Sequence, residues 1–328
     1  MRKSVKVIML SLCAFVIVLM VAVFISANYI FTFILDTSEN KDLFKDVEPE
    51  EAQKLGVVEL SPEEQWLKDN SQDMYVKSHD NLTLHGFYIP AKNTSDRYAV
   101  IVHGYRSGAW PMSLCARNYS DIGFNVLVIE QRSHGASEGR YIGMGWLEHF
   151  DVINWTKHLI KKNEKAQIVL HGFSMGGATV MLASGEKSLP KNVYAIIEDC
   201  GYTSINEQFT YQIKQNFSFP VFPLLNITSL ISKFKADYFF GYGDCKKAVA
   251  RAKVPMLFIH GDKDNFVPFK MMQELFHTAG SSNAEEIEKE MLIVKGAEHS
   301  NSIKVNPQLY WSTVENFLEK YSIHKSNR

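Results

Sequence analysis

Val169-Leu170-His171-Gly172-Phe173-Ser174-Met175-Gly176-Gly177-Ala178 is the stretch whose reading decides the fold of this chain. An apolar run, residues 168–170, leads straight into the pattern G-x-S-x-G, here Gly172-Phe173-Ser174-Met175-Gly176. A helix-compatible run, residues 178–183, follows at once. Strand, tight turn and helix in that order are the setting that a nucleophile elbow requires. Glycines flank the serine because so sharp a turn leaves no room for a Cβ on either side. The serine then stands at a helix N-terminus, where the dipole and free N–H groups favour developing negative charge. The five-residue pattern alone is a weak signal, since glycine and serine are common in loops. Its flanks make it specific, and Ser174 is the predicted nucleophile.

A serine hydroxyl needs a base that accepts its proton near neutral pH, and histidine is the natural one. His299 lies in Gly296-Ala297-Glu298-His299-Ser300, directly after the last apolar run, residues 291–294. The base in turn needs a carboxylate to fix its tautomer and stabilise the imidazolium. His260-Gly261-Asp262-Lys263-Asp264 supplies two after the apolar run 256–259. Asp264, deeper in the loop, is the predicted acid, and Asp262 is read as shaping the turn. Asp199, also at a strand end, is the second candidate. The chain order serine, aspartate, histidine separates this set from the chymotrypsin and subtilisin orders. A tetrahedral intermediate also needs two fixed donors on its oxyanion. The backbone N–H groups of Met175 and Tyr105 are the expected pair, the second from the loop His103-Gly104-Tyr105. His103 itself is read as shaping that loop.

Around this centre, continuous apolar runs at 98–102, 126–129, 193–197, 256–259 and 291–294 read as strands buried on both faces. Residues 74–78 and 82–89 alternate about a turn and predict a hairpin. Helical patterns fit 112–122, 145–162, 269–279 and 307–321. Strands alternating with helices imply an α/β fold, a mostly parallel sheet flanked by helices, with ligands at the C-terminal strand ends. Residues 201–253 are far longer than an ordinary crossover and rich in aromatics, among them Phe209, Phe217, Phe234 and Tyr242. An insertion of that length, leaving from the face that carries the elbow, predicts a helical lid over an apolar acyl or aryl group.

The N-terminus has its own grammar. Residues 1–6 carry Arg2, Lys3 and Lys6, and 7–35 then run without a charge. That exceeds both the roughly 20 residues a helix needs to cross hydrocarbon and the roughly 7–15 of a cleavable signal core. A signal anchor is expected, with 1–6 cytoplasmic and the catalytic body outside the membrane; cleavage would make the protein secreted. Residues 36–73 read as a polar spacer with a capped helix at Ser61-Pro62-Glu63-Glu64, and 74–328 as the catalytic domain.

Bulk composition excludes more than it proposes. A net charge of −1 gives nucleic acid nothing to attract, and the 11 histidines form no metal-ligand motif. Four cysteines, one in the apolar segment, fit neither a zinc site nor a disulfide framework, though the other three leave room for one bridge.

Together, His103-Gly104-Tyr105, Arg132-Ser133-His134-Gly135-Ala136-Ser137-Glu138-Gly139, the Ser174 elbow, Asp264 with Val267-Pro268, and His299 resemble the serine hydrolases of the α/β-hydrolase superfamily. The likeness runs over about residues 74–321 and is greatest to membrane-anchored bacterial hydrolases related to the serine aminopeptidase and BEM46-like groups. One departure is Glu130, where that family usually has aspartate. The resemblance implies hydrolysis through an acyl-enzyme without a cofactor, most simply of a carboxylic ester with a small or medium apolar acyl or aryl group. A peptidase or amidase is the alternative, and a membrane-tethered binding protein that has kept only the fold is a third reading. The oxyanion loop reads His-Gly-Tyr, not the HGGG of many lipases.

Overall fold

The computed structural model describes residues 2–38, 60–216, 220–284 and 286–322. Most of the expected spacer, and Phe217 in the expected lid, lie outside them. The chain opens with α1 (Arg2–Leu35), which from Val5 onward is long and apolar enough to cross a membrane. Next comes α2 (Pro62–Asn70), whose capping box pairs Ser61 with Glu64 as the sequence predicted. The hairpin β1 (Gln72–Lys77) and β2 (Thr83–Ile89) leads into β3 (Arg97–Val102), α3 (Ser113–Asp121) and β4 (Asn125–Ile129). Then follow α4 (Glu148–Lys162), β5 (Gln167–Phe173), α5 (Met175–Ser184) and β6 (Val193–Asp199). The insertion holds α6 (Ile205–Asn216), α7 (Val221–Ala236) and α8 (Cys245–Ala250). The chain closes with β7 (Met256–Gly261), α9 (Phe269–Thr278), β8 (Lys289–Val294), α10 (Ser302–Val305) and α11 (Pro307–Tyr321).

The strands form one eight-stranded sheet in the order β1-β2-β4-β3-β5-β6-β7-β8. β1 and β2 pair antiparallel, as do β2 and β4; every other pair is parallel. β4, β5, β6 and β7 are buried at every position, which is why they read as unbroken apolar runs. Two apolar layers follow. One holds Trp155, Met181 and Phe258, and the other Tyr119, Tyr194 and Trp311.

Two expectations need correction. The helix expected from Gly145 starts at Glu148. Gly145 has φ +87°, outside helical space, and the Glu148 carboxylate accepts the N–H groups of Gly143 and Gly145 at 2.6 and 2.8 Å. Three residues are thereby spent on a turn. The last strand is an edge and not a buried core strand: Met291 and Ile293 are 36% and 43% exposed. All four cysteines are free, so the possible bridge is not formed.

The end of α1 brings the least expected contact. Ala27, Phe31 and Leu35, spaced by four on one helix face, are fully buried against the body, and α7 packs along the same segment.

Candidate active site

β5 ends at Phe173, α5 begins at Met175, and Ser174 makes the whole turn between them. Its backbone sits at φ 55°, ψ −115°, a strained conformation for a residue with a Cβ. The neighbouring glycines are forced by space. A Cβ on Gly172 would lie 2.1 Å from the Gly176 carbonyl oxygen, and one on Gly176 would lie 2.1 Å from that of Val102. The Ser174 N–H is donated to the Asp199 carbonyl at 2.8 Å, pinning the elbow to the end of β6.

The other predicted side chains converge on this serine from their own strand ends. His299 Nε2 lies 2.8 Å from Ser174 Oγ, and His299 Nδ1 lies 2.7 Å from Asp264 Oδ2. Carboxylates only accept, so the Nδ1 carries the proton and the Nε2 lone pair faces the hydroxyl. Asp264 is fixed in turn, its Oδ1 accepting the Phe266 and Val267 N–H groups, each at 2.8 Å. Burial opposes its charge, yet hydrogen bonds from His260 and then His299 hold its carboxyl well below the usual carboxylate range. The His260 Nε2–H is shared between the Val267 carbonyl at 2.9 Å and Asp264 at 3.2 Å. Asp262 accepts the Gly296 N–H at 2.6 Å, tying the loop of Asp264 to the loop of His299. Asp199, the second candidate acid, accepts the Tyr310 hydroxyl at 2.9 Å, and burial pushes its carboxyl up to about 6. Phe266, 46% exposed, lies 4.8 Å from the His299 ring and gives the mouth of the site an apolar edge.

The loop after β3 passes beside the serine: a Cβ on Gly104 would stand 3.4 Å from Ser174 Cβ. Two buried histidines brace this loop. His103 Nε2 accepts the Gln131 N–H at 3.1 Å, so its protonated Nδ1 donates to the Gly104 carbonyl at 2.8 Å. Burial and the nearby His134 push the His103 imidazole down to about 3, which keeps it neutral. His134 Nε2 accepts the Arg106 N–H at 3.1 Å in the same manner. The Tyr105 hydroxyl is donated to the Ile34 carbonyl of α1 at 2.7 Å, and the Arg106 guanidinium reaches the Phe33 carbonyl. Glu130 accepts from His85 Nδ1 at 2.8 Å and from the Ala136 N–H at 2.7 Å, a scaffold role.

Sequence reasoning passed over His260, His134, Gln131 and Glu198. His260 and His134 were quoted within motifs without a role of their own. Glu198 accepts the Gly201 N–H at 2.8 Å beneath the elbow, and burial pushes its carboxyl up to about 8. An acidic pair, Glu198 and Asp199, closing an otherwise apolar strand was the one available signal for it.

A mostly parallel sheet with a strand–serine–helix elbow, and a histidine and an aspartate on later strand ends, is the α/β-hydrolase fold, and this chain has it. Within it, residues 94–216 match the family model Hydrolase_4, serine aminopeptidase, S33. The uncharacterized protein YqkD of Bacillus subtilis is 27% identical over 266 residues, covering 76% of this chain and 84% of its own. An uncharacterized membrane protein of Saccharomyces cerevisiae is 24% identical over 242 residues, covering 74% and 77%. Among solved structures, an esterase from Pyrococcus furiosus superposes with a TM-score of 0.63 at 24% identity, over 80% of this chain and 97% of its own. That last likeness concerns the fold.

Proposed function

We propose that this chain is a serine hydrolase that cleaves carboxylic esters through an acyl-enzyme on Ser174. The observation that carries the reading is the unbroken path from Ser174 Oγ through His299 to Asp264, at 2.8 and 2.7 Å. Ser174 Oγ attacks the ester carbonyl while His299 Nε2 takes its proton. Negative charge gathers on the former carbonyl oxygen, where the N–H groups of Met175 and Tyr105 are the proposed donors. Collapse expels the alcohol oxygen, which receives the proton from His299. A water molecule, activated by the same imidazole, then releases the acid and restores the serine.

Ester is preferred to peptide on the fate of the cap acids. An aminopeptidase needs a carboxylate for the free amine of its substrate. The cap carries Glu207, Asp237 and Asp244, and Asp244 is taken up by the N–H and the ammonium of Lys247, each at 3.0 Å. Glu207 is engaged by Lys246 at 2.7 Å and by the Thr203 hydroxyl, and Asp237 by Lys233 at 2.5 Å. The apolar edge at Phe266 suits an acyl or aryl group instead. We also infer that α1 anchors the protein, with Arg2, Lys3 and Lys6 on the cytoplasmic side and the hydrolase body opposite.

The test is labelling by a fluorophosphonate probe, wild type beside Ser174→Ala, followed by p-nitrophenyl esters of increasing chain length. Labelling and turnover should vanish together in the variant. Folded wild-type protein that neither labels nor turns over would sink the serine-hydrolase reading and leave the tethered binder. Labelling with turnover confined to aminoacyl amides would transfer it to the peptidase.

A further inference from the structure

A helix of 34 residues is about 50 Å long, whereas the hydrocarbon layer is about 30 Å thick. α1 is therefore too long to lie wholly in lipid, and its side chains mark where the change comes. Residues such as Phe15, Val18 and Phe24 are 66%, 66% and 56% exposed, and from Ala27 onward one face is buried in the body. The last carbonyls of a helix have no partner within it. Here they are capped from the hydrolase domain: Phe33 by Arg106, Ile34 by the Tyr105 hydroxyl, and Leu35 by the Ile142 N–H at 2.9 Å. Asp36, just beyond, pairs with Arg140 at 2.8 Å. α1 is thus held by the body at several points along its last turns.

α7 lies against the same segment. Lys235 Nζ donates to Asn28 Oδ1 at 2.9 Å and sits 5.2 Å from the centre of the Phe31 ring. Asn28 is seven residues before Leu35, about 10 Å nearer the lipid. The C-terminal end of α7 therefore reaches the level where protein cover on α1 stops. At that level the surface turns apolar again: Phe234 and Leu230, one turn apart on α7, are 82% and 46% exposed, and Tyr29 on α1 is 68% exposed. Aromatic rings with a lysine beside them are the side chains that settle at a membrane–water boundary. The Tyr105 side chain joins the loop beside Ser174 to the end of α1.

We propose that the α1 end and α7 form a lipid-facing entrance, and that the substrate is an ester amphiphile drawn from the bilayer surface. This rests on the serine-hydrolase reading. The acyl chain would come from the lipid, and its carbonyl would pass along the last turns of α1 to Ser174. The acyl C–O bond breaks; water supplies hydroxyl to the acyl group and a proton to the departing alcohol. The occupant of the Phe234–Leu230 face is the bilayer, because that face continues the exposed apolar surface of α1.

The test uses the full chain in phosphatidylcholine vesicles. A nitroxide at Phe234→Cys in a Cys13→Ser background, where the other three cysteines are buried, reports its surroundings by relaxation. Greater access to dissolved oxygen than to a nickel chelate is expected. Greater access to the nickel chelate, or shielding from both reagents by a second copy or another protein, overturns the proposal. Separately, Phe234→Ser should lower turnover of p-nitrophenyl palmitate held in the vesicles at least fivefold, with aqueous p-nitrophenyl acetate within twofold of wild type. Equal effects on the two esters, or none on the palmitate, overturn it. Fluorophosphonate labelling of the same wild-type vesicles separates the two readings. With labelling intact, a failed nitroxide or palmitate result rejects only the lipid entrance; loss of labelling and of acetate turnover rejects the serine hydrolase and the entrance with it.

Discussion

The two walls of the candidate site are held in opposite ways. The elbow, Gly172 to Gly176, is fixed by its own strand and helix and by backbone packed too closely for any side chain but hydrogen at the glycines. The facing loop, His103 to Arg106, is fixed by partners far along the chain. His134 and Gln131 hold it from one side, and the carbonyls of Phe33 and Ile34 from the other. One wall is local and rigid, and the other is borrowed. The difference predicts that damage to the first should be severe and insensitive to the membrane, and damage to the second graded and dependent on α1.

The largest effect should come from the acid shared by His299 and His260. Asp264→Asn keeps the shape of the loop but cannot hold a proton on His299 Nδ1, so the imidazole would present the wrong tautomer to the serine. Ester turnover should fall about 10⁴-fold, by analogy with other triads. A loss below tenfold would break the assignment and send the role to Asp199. Gly176→Ala comes next. Its Cβ would meet the Val102 carbonyl oxygen at 2.1 Å and that of His103 at 2.6 Å, both backbone atoms. We expect a loss of about 3 kcal/mol or more in stability, read by denaturant unfolding, as befits overpacking against backbone. Normal stability would mean that the elbow is looser than its contacts imply.

Glu198, below the elbow, sharpens the same contrast through pH. Burial pushes its carboxyl up to about 8, so the folded protein holds a proton that the unfolded chain releases above about 4.5. Its burden on stability is absent below the unfolded value, grows as pH rises between these limits, and levels off above the folded one. Glu198→Gln should therefore stabilise the protein at pH 8 and leave it nearly unchanged at pH 4.5. The gain at pH 8 should be roughly 4 kcal/mol at most, the size the shift implies. Thermal unfolding at the two pH values measures it, and an equal change at both would show that charge is not the cause.

How much of this was legible follows the same division. The elbow, the strands that support it and the positions of Asp264 and His299 lie in contiguous patterns: an apolar run, a glycine-flanked serine, a loop with two carboxylates. Local chemistry dictates them, so periodicity and turn residues suffice. The start of α4 was misplaced because Gly143 and Gly145 are tied by Glu148, a bond that composition does not announce. The seat of α1 was invisible for a deeper reason. A continuous apolar helix satisfies a membrane and a protein groove alike, and only its contacts reveal that Ala27, Phe31 and Leu35 serve the second.

The smallest predicted effect tests the borrowed wall directly. Tyr105→Phe removes one hydroxyl, which a net hydrogen bond values at about 1 kcal/mol, and leaves the Ile34 carbonyl without that donor. The backbone N–H proposed for the oxyanion is untouched, so the loss should be modest, about five-fold, and should fall on kcat more than on KM. A merely structural hydroxyl would lower stability and leave kcat alone. The cycle with Phe31→Ala carries the argument further, because that change loosens the seat of α1 from a position remote from Ser174. If the hydroxyl acts through α1, the double variant should lose little more in kcat than the worse single variant, a coupling visible as departure from additivity. Strictly additive losses would mean that Tyr105 steadies its loop without α1, and the two walls would differ less than their contacts suggest.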